Sequence, residues 1–238
     1  MKKTLVMLPT YNERENLVKL VPEILSIGPD ISIIVVDDDS PDGTWKLVRE
    51  MAEKDSRVSL IHRTREKGRG TAGIEGFLFA VRSGVDYVIE MDADYSHHPR
   101  YIPSLLSEME KCDVVIGSRL IHGGKERGRN ILRTLITWFA NNYIRLLMGV
   151  DIMDCTSGYR CFKREVLASI GLEKMVSVGP SIVEEVLYAC VLKGYRIKEI
   201  PILFEERCHG ETTKTLGQYL DTALKVIRFR LRMRKELL

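Results

Sequence analysis

Residues 88–99 read VIEMDADYSHHP, an apolar, strand-like run that ends on two aspartates one residue apart, Asp92 and Asp94. Side chains alternate between faces in an extended chain, so both carboxylates project to the same side. Two such close anions repel each other unless a cation lies between them. Enzymes that use nucleotides bind Mg²⁺ through one or two carboxylates and leave the rest of its shell to water and phosphates. The motif therefore predicts a site for Mg²⁺ or Mn²⁺, with an acidic, solvated turn as the alternative.

The first half of the chain contains the elements that must position these aspartates. It alternates apolar, β-rich runs with helical patterns, and the runs read TLVML, ISIIVV, VSLIH, YVIEM and DVVIG. This alternation is typical of a mostly parallel sheet flanked by helices, an α/β fold. In open parallel sheets, ligands gather beyond the carboxyl ends of the strands. Polar clusters follow the first four runs, at residues 9–13, 37–39, 63–70 and 92–94, so we expect them to form one site.

A nucleotide would account for the clusters after the first two strands. The Asp38 carboxylate can accept hydrogen bonds from a base or ribose, Tyr11 can support a ring face, and Glu13 can accept from a ribose hydroxyl. The alternative is structural: SPDG, residues 40–43, is strong turn sequence, and Ser40 or Asp42 would then cap the next helix.

Composition narrows the class of protein. With 238 residues, 45% of them hydrophobic and 29% charged, the chain resembles a soluble globular protein of one α/β domain. No apolar run approaches the roughly 20 residues of a membrane-spanning helix, and no signal peptide precedes the first strand. Five scattered cysteines predict a reduced, cytoplasmic chain without zinc. A net charge of +3 predicts no nucleic-acid partner.

Four ordered motifs carry a family resemblance: LPTYNERENL, VVDDDSPDGT, MDADYSHHP and IGSR. They resemble the family-two glycosyltransferases of the GT-A fold, and within that family the dolichol-phosphate mannose synthases. The resemblance implies a GT-A, Rossmann-like fold and metal-dependent, inverting transfer of a hexose to dolichyl or polyprenyl phosphate. It favours mannose from GDP-mannose, with a UDP-sugar such as UDP-glucose as the alternative donor.

The resemblance also implies roles for individual residues on the donor side. The nucleoside would be held by residues at the ends of the first two strands, namely Pro9, Tyr11, Glu13, Val36 and Asp38. The ribose, diphosphate and metal would be held by Asp92, Ala93 and Asp94. Ser96 stands where the family has Gln or Ser, and would be a weaker metal ligand than Gln.

On the acceptor side, the resemblance implies that Arg119, Arg133 and Thr137 bind the acceptor phosphate. The last two are four residues apart and share a helix face. Arg207 and Lys214 would close over the donor diphosphate, although RCHGETTK departs from the family pattern of Arg, then Gly-Glu-Ser-Lys. Together with Asp92 and Asp94, Arg119 and Arg133 are the predicted catalytic residues.

We expect a single catalytic domain at residues 1–215, with a nucleotide-sugar-binding half at 1–118 and an acceptor-side half at 119–215. A basic amphipathic helix follows at 216–238. Its apolar stripe either packs in the core or lies on an anionic leaflet, and consists of Leu216, Leu220, Ala223, Leu224, Ile227, Leu231 and Leu238. A lipid-linked acceptor favours a peripheral protein at the cytoplasmic face of the membrane, alone or with a separate membrane-anchoring partner.

Two other classes of function compete with this interpretation. VVDDDS also resembles the nucleophile loop of aspartyl-phosphate hydrolases, in which Asp37 would attack phosphate and Asp39 would act as the acid. A nucleotide-sugar binder without turnover is the third possibility. His97 and His98 are adjacent and would point in opposite directions in an extended chain, so we expect a supporting role rather than metal ligation.

Overall fold

The computed structural model describes residues 2–206 and 224–232. Its strands are β1 (Thr4–Thr10), β2 (Ile31–Asp37), β3 (Val58–His62), β4 (Tyr87–Glu90), β5 (Val114–Ser118), β6 (Lys125–Arg127), β7 (Arg160–Lys163), β8 (Ile197–Pro201) and β9 (Leu203–Glu205). Its helices are α1 (Arg14–Leu25), α2 (Thr44–Lys54), α3 (Arg69–Arg82), α4 (Ile102–Glu108), α5 (Ile131–Met148), α6 (Arg164–Ser169) and α7 (Ile182–Leu192), with 3₁₀ helices at Pro99–Tyr101 and Leu172–Lys174. Residues 224–232 form a C-terminal helix.

Seven strands form the central sheet, in the order β3-β2-β1-β4-β7-β5-β8. The first four are mutually parallel and β8 is parallel to β5, whereas β7 runs antiparallel between β4 and β5. The predicted α/β fold with a mostly parallel sheet is confirmed. Strands from both sides of residue 118 share this sheet, because β7 and β8 come from the second half of the chain.

Two hydrophobic cores cover the two faces of the sheet. Helices α1, α2 and α4 contribute to one, and α3, α6, α7 and the end of α5 contribute to the other. The apolar residues of α1 recur at helical spacing, at Leu17, Leu20 and Ile24, and all three are buried. In α3, a Cβ atom on Gly76 would lie 2.5 Å from Cγ of Met7. Glycine at this position therefore lets α3 approach β1 closely.

A second, two-stranded sheet lies at the acceptor side. The polar, glycine-rich stretch HGGKERGRN, residues 122–130, predicts a loop. Its segment KER instead forms β6 and pairs in parallel with β9. This pairing puts Glu126 beside Phe204 and leads directly into α5. The short sheet thus fixes the segment that connects the IGSR motif to the long helix.

The C-terminal helix buries a different face from the predicted one. Val226 and Phe229 are fully buried, and the ring of Phe229 lies 6.2 Å from the ring of Tyr188 in α7. The predicted stripe residues in the described part of this helix, Leu224, Ile227 and Leu231, are exposed. The core-packing interpretation of the stripe is therefore wrong there, because α7 offers an aromatic contact to Phe229. No helix within residues 2–206 or 224–232 is long and apolar enough to cross a bilayer.

Candidate active site

Strand register gathers the polar clusters of the first half at one edge of the sheet. Thr10 at the end of β1 pairs with Asp37 at the end of β2, which pairs with His62 at the end of β3. One step earlier, Pro9 and Val36 are neighbours and both are buried. The predicted convergence of these strand ends is thus present in the structure.

The turn after β2 caps the start of α1. The amides of Asn12 and Arg14 donate to Ser40 Oγ at 2.9 Å and to Asp42 Oδ2 at 3.1 Å. Asp42 Oδ1 also accepts from the amide of Thr44, at 2.9 Å. Asp42 therefore bonds the first amide of α2, as the structural alternative predicts, whereas Ser40 bonds the segment before α1. Together the two side chains fix the backbone beside Tyr11 and Glu13.

Asp37 is an internal anchor of this turn. It is fully buried and accepts hydrogen bonds from Thr10 Oγ1 at 2.9 Å, from the Ser40 amide at 2.9 Å and from Ser40 Oγ at 2.6 Å. A carboxylate enclosed in this way has no path to an incoming phosphate. The geometry argues against the hydrolase interpretation, which requires Asp37 as a nucleophile.

Asp38, a predicted nucleoside ligand, holds the loop between β3 and α3. Its Oδ1 pairs with the buried guanidinium of Arg63, and its Oδ2 accepts from the amide of Gly68 at 2.7 Å. Arg63 also contacts Glu75 at 2.7 Å and Thr71 Oγ1 at 2.7 Å. Sequence reasoning missed Arg63 as the partner of Asp38, although its position directly after β3 was a usable signal.

The two aspartates after β4 differ in exposure. The Asp94 side chain is buried, and its Oδ1 accepts from the Ser96 amide at 3.1 Å and from Ser96 Oγ at 2.6 Å. The Asp92 side chain keeps 33% of its surface exposed, and Ala93 between them is buried. Ser96 thus orients Asp94 through hydrogen bonds; its role as a metal ligand stays a prediction.

The donor set at Asp92 and Asp94 fits a hard divalent cation. Nowhere in the described ranges do three or more histidine, cysteine or acidic side chains gather closely enough to hold a metal ion. A cation here would have at most two carboxylates from the aspartate pair and would need oxygens from a substrate. Mg²⁺ and Mn²⁺ accept such a shell of oxygen ligands.

His97 holds the backbone at Asp92 in place through a hydrogen bond. It is buried, its Nδ1 accepts from the Asp92 amide at 3.1 Å, and its ring stacks on Tyr159 with centroids 5.1 Å apart. Burial lowers the pKa of His97 and outweighs the opposing attraction of Asp92 and Asp94. The ring is therefore a neutral acceptor at physiological pH, in line with the expected supporting role.

Arg69, which the sequence reasoning did not single out, lies beside Asp92. Its Nη2 is 2.7 Å from Oε1 of the buried Glu90 and 3.5 Å from Oδ1 of Asp92. Burial would lower the pKa of Arg69, but the attraction of Glu90 and Asp92 raises it overall. A permanent positive charge therefore borders the aspartate pair.

Arg119 follows β5 and makes a bidentate ion pair with the buried Asp154. Its Nε and Nη2 lie 2.8 and 2.7 Å from the two carboxylate oxygens, and Nη2 also donates to Thr156 Oγ1 at 2.9 Å. Burial would raise the pKa of Asp154, but the charge and hydrogen bonds of Arg119 lower it overall. The third nitrogen of the Arg119 guanidinium group, Nη1, lies 3.8 Å from Glu126 Oε1.

The other predicted phosphate ligands lie on α5 at the same end. Arg133 pairs with Glu206, and the buried Thr137 accepts from Arg129 Nη1 at 3.0 Å. The structure thus gathers three arginines, which we call the arginine cluster: Arg119, Arg129 and Arg133. The predictions for Arg207 and Lys214 fall outside the described residues.

Strand β7 connects the arginine cluster to the aspartates. Arg160 pairs with Glu90 of β4 on one side and with Ile116 of β5 on the other. Asp92 is close enough to Arg119 to contribute to raising its pKa. The aspartates predicted to bind a metal and the arginines predicted to bind phosphate therefore lie in one continuous site.

A sequence profile for glycosyl transferase family 2 matches residues 5–171. The chain belongs to glycosyltransferase family 2. Within this family it is 39% identical to polyprenol monophosphomannose synthase of Mycolicibacterium smegmatis, over 98% of the chain and 89% of the relative. It is 36% identical to undecaprenyl-phosphate mannosyltransferase of Micrococcus luteus, over 98% and 96%. A dolichol-phosphate mannosyltransferase of Pyrococcus furiosus is 37% identical over 95% of the chain, which spans 64% of that longer protein.

Solved structures support the fold of this family member at low sequence identity. Glucosyl-3-phosphoglycerate synthase of Mycobacterium tuberculosis, solved with Mn²⁺, UDP and glucosyl-3-phosphoglycerate, has a TM-score of 0.70 at 19% identity, covering 97% of this chain and 79% of that one. A mannosyltransferase of Pyrobaculum calidifontis, solved with GDP-mannose and Mn²⁺, has a TM-score of 0.57 at 16% identity, covering 97% and 70%. The predicted GT-A fold is confirmed.

Proposed function

We propose that this glycosyltransferase transfers mannose from GDP-mannose to a polyprenyl phosphate, with inversion at the anomeric carbon. The observation that carries the proposal is the junction made by β7, which lies between the strand that ends before Asp92 and the strand that ends before Arg119. A sugar nucleotide needs a cation to neutralise its diphosphate, which the aspartates can bind. A phosphate acceptor needs guanidinium groups, which the arginine cluster supplies. The names of the three relatives, all mannose-transferring enzymes with lipid phosphate acceptors, agree with a site that has a donor side and an acceptor-phosphate side.

The acceptor phosphate is the nucleophile in this reaction. The second pKa of a phosphate monoester is about 6, so its dianion needs no general base at neutral pH. One phosphate oxygen forms a bond to the anomeric carbon while the bond from that carbon to the diphosphate breaks. The task of Arg119 and Arg133 is to bind and orient the dianion, which guanidinium forks do well. Arg119 has Nη1 available for this, since Asp154 and Thr156 occupy its other nitrogens.

The aspartates serve the leaving group. A divalent cation bound by Asp94, with Asp92 and Ser96 nearby, would neutralise the charge that develops on the departing diphosphate. His97 and Arg69 hold the Asp92 segment in place for this purpose. Pro9, Tyr11, Glu13, Val36 and Asp38 line the edge at which we place the nucleoside, and Arg207 and Lys214 are expected to close over the diphosphate.

The exposed face of α5 is our candidate for contact with the membrane surface. It consists of Ile131, Leu132, Leu135, Trp138, Phe139 and Leu146, which are between 48% and 87% exposed. No aspartate or glutamate occurs from residue 130 to residue 150, and Arg133 lies on the same helix. An apolar, acid-free helix with exposed aromatic residues is typical of proteins that lie at the cytoplasmic face of an anionic bilayer. The lipid tail of the acceptor would stay in the bilayer beside this face.

A transfer assay tests the proposal. Purified protein is incubated with labelled GDP-mannose and undecaprenyl phosphate in vesicles, with Mg²⁺, with Mn²⁺ or with EDTA. We expect a labelled, lipid-extractable product with either metal and none with EDTA. Product formation at full rate in EDTA would contradict the metal dependence.

Parallel arms of the same assay separate the alternatives. Labelled UDP-glucose replaces GDP-mannose in one arm, and preferential transfer of glucose would overturn the donor assignment. In another arm the acceptor is omitted. Binding of GDP-mannose without any transfer in all arms would favour a non-catalytic nucleotide-sugar binder.

A further inference from the structure

Arg129, the third member of the arginine cluster, has no role in the proposed reaction so far. It lies between β6 and α5, and its side chain is only 17% exposed. Its Nη1 is 2.6 Å from Glu126 Oε1 and 3.0 Å from Thr137 Oγ1. Thr137 is itself a predicted phosphate ligand. Arg129 therefore reaches into the acceptor-phosphate position rather than into solvent.

Phe204 aligns two of the three arginines. The guanidinium carbons of Arg119 and Arg129 lie 5.0 and 5.5 Å from the centroid of its ring. A guanidinium group held over an aromatic ring keeps its N–H donors directed along its own plane. Because β6 and β9 place Phe204 beside Glu126, the same short sheet fixes both arginines relative to one carboxylate.

Glu126 is that carboxylate. Its side chain is 10% exposed, and its Oε1 lies 2.6 Å from Arg129 and 3.8 Å from Arg119. Its Oε2 accepts from Thr134 Oγ1 at 3.0 Å. An oxyanion that contacts two guanidinium groups in a nearly buried position resembles a bound phosphate in charge and geometry. Arg119 is also paired with Asp154, so the charges of this group already balance and an incoming phosphate has to displace Glu126 from the guanidinium groups.

We infer that Arg129 is a further acceptor-phosphate-binding residue, and that Glu126 holds the arginines in place until the phosphate of the acceptor takes over their N–H donors. This inference rests on the proposed function, because it assigns a phosphate monoester to the cluster. The phosphate would then bind Arg119 Nη1, Arg129 and Arg133, while Glu126 keeps its bond to Thr134.

Arg129→Met is the first test, because methionine keeps most of the side-chain volume and removes the charge. We expect the KM for undecaprenyl phosphate to rise by about tenfold, and the KM for GDP-mannose to change by less than about twofold. Arg127→Met is the matched control. Arg127 precedes it by two residues but is 72% exposed and pairs with Glu205 at 3.1 Å. This control should retain both KM values.

Glu126→Gln is the second test, and its expected effect has the opposite sign. The glutamine carbonyl can still accept from Arg129, but it no longer competes with phosphate as an anion. We expect the KM for undecaprenyl phosphate to fall by about threefold. A purely structural role for Glu126 would instead raise KM or lower the melting temperature without tightening acceptor binding.

A direct binding measurement keeps this inference separate from the proposed function. Calorimetric titration with farnesyl phosphate needs no turnover, and Arg129→Met should weaken its Kd by about tenfold, or about 1.4 kcal/mol. An unchanged Kd and an unchanged acceptor KM in a folded Arg129→Met variant would overturn the inference and leave the transfer reaction standing. A wild-type protein that binds farnesyl phosphate but transfers no mannose would instead overturn the proposed function.

Discussion

The aspartates and the arginine cluster are held in place by different kinds of partner. Asp94 is held by the backbone amide and hydroxyl of Ser96, two residues away. Asp37 is held by those of Ser40, three residues away, together with the hydroxyl of Thr10. Arg119 and Arg133 are held by carboxylates 35 and 73 residues away, Asp154 and Glu206. The first arrangement fixes an anion and leaves it negative, whereas the second places a carboxylate opposite each cation. We therefore expect the predicted metal-binding edge to be preformed, and we expect Glu126 in the arginine cluster to give way to the acceptor phosphate.

The largest expected effect breaks the metal-binding edge alone. Asp94→Asn keeps an oxygen that can accept from Ser96, so the fold should survive with an unchanged melting temperature. Loss of the charge should lower kcat by about 10³-fold, or about 4 kcal/mol. Metal-titrated transfer rates and thermal unfolding measure the two quantities. Activity close to wild type in this variant would refute the metal assignment.

The second prediction concerns Asp154, the buried partner of Arg119 in the arginine cluster. Asp154→Asn removes the negative charge opposite Arg119, and leaving a buried charge without its full partner should cost about 3 kcal/mol of unfolding free energy. The direction in which stability changes with pH follows from the lowered pKa of Asp154. Its stabilisation is present above the unfolded pKa of about 3.9 and is lost as pH falls through the lower folded pKa.

Denaturant unfolding of Asp154→Asn at neutral and acid pH measures this effect. The difference from wild type should be largest at neutral pH and should shrink as the solution is acidified. A stability difference that does not depend on pH would show that the ion pair is not its source.

The smallest expected effect concerns contact with the membrane and leaves binding of the donor unchanged. Trp138→Ser with Phe139→Ser removes two exposed aromatic side chains from the apolar face of α5. The KM for undecaprenyl phosphate in vesicles should rise by about fivefold, or about 1 kcal/mol, while the KM for GDP-mannose stays constant.

The matched control is Val18→Ser on α1, since Val18 is 50% exposed and Trp138 is 52% exposed. It should leave both KM values unchanged. Vesicle flotation of the same variants reports membrane binding without catalysis. Equal flotation of the double variant and wild type would exclude the α5 face as the contact with lipid.

The difference in partners also explains how much could be predicted from the sequence. Strands β1 to β5, the helices between them and the aspartate motifs were predictable, because periodicity and short-range capping decide them. The partners Arg63 of Asp38 and Asp154 of Arg119 were not, because each pairing depends on which strands become neighbours. A single antiparallel strand between two parallel ones carries no local signal in the sequence.

Two further misses have the same physical origin. Arg129 stood in a segment read as a loop, and only the pairing of β6 with β9 brings it to Phe204 and Thr137. In the C-terminal helix, the apolar stripe that looked most regular is exposed, while Phe229 packs against α7. Amphipathic spacing shows that a helix has an apolar face, but the shape of the surface beneath decides which side chains are buried.

The reversed direction of β7 has a consequence for how this enzyme could change its acceptor. Since β7 lies between β4 and β5, the spacing between the aspartates after β4 and Arg119 after β5 is set by two strand-to-strand steps of about 4.8 Å each and not by loop lengths. Substitutions on the exposed apolar face of α5 can then alter which lipid phosphate is recruited without moving the sugar relative to its attacker. Substrate range and catalytic alignment are therefore free to evolve separately.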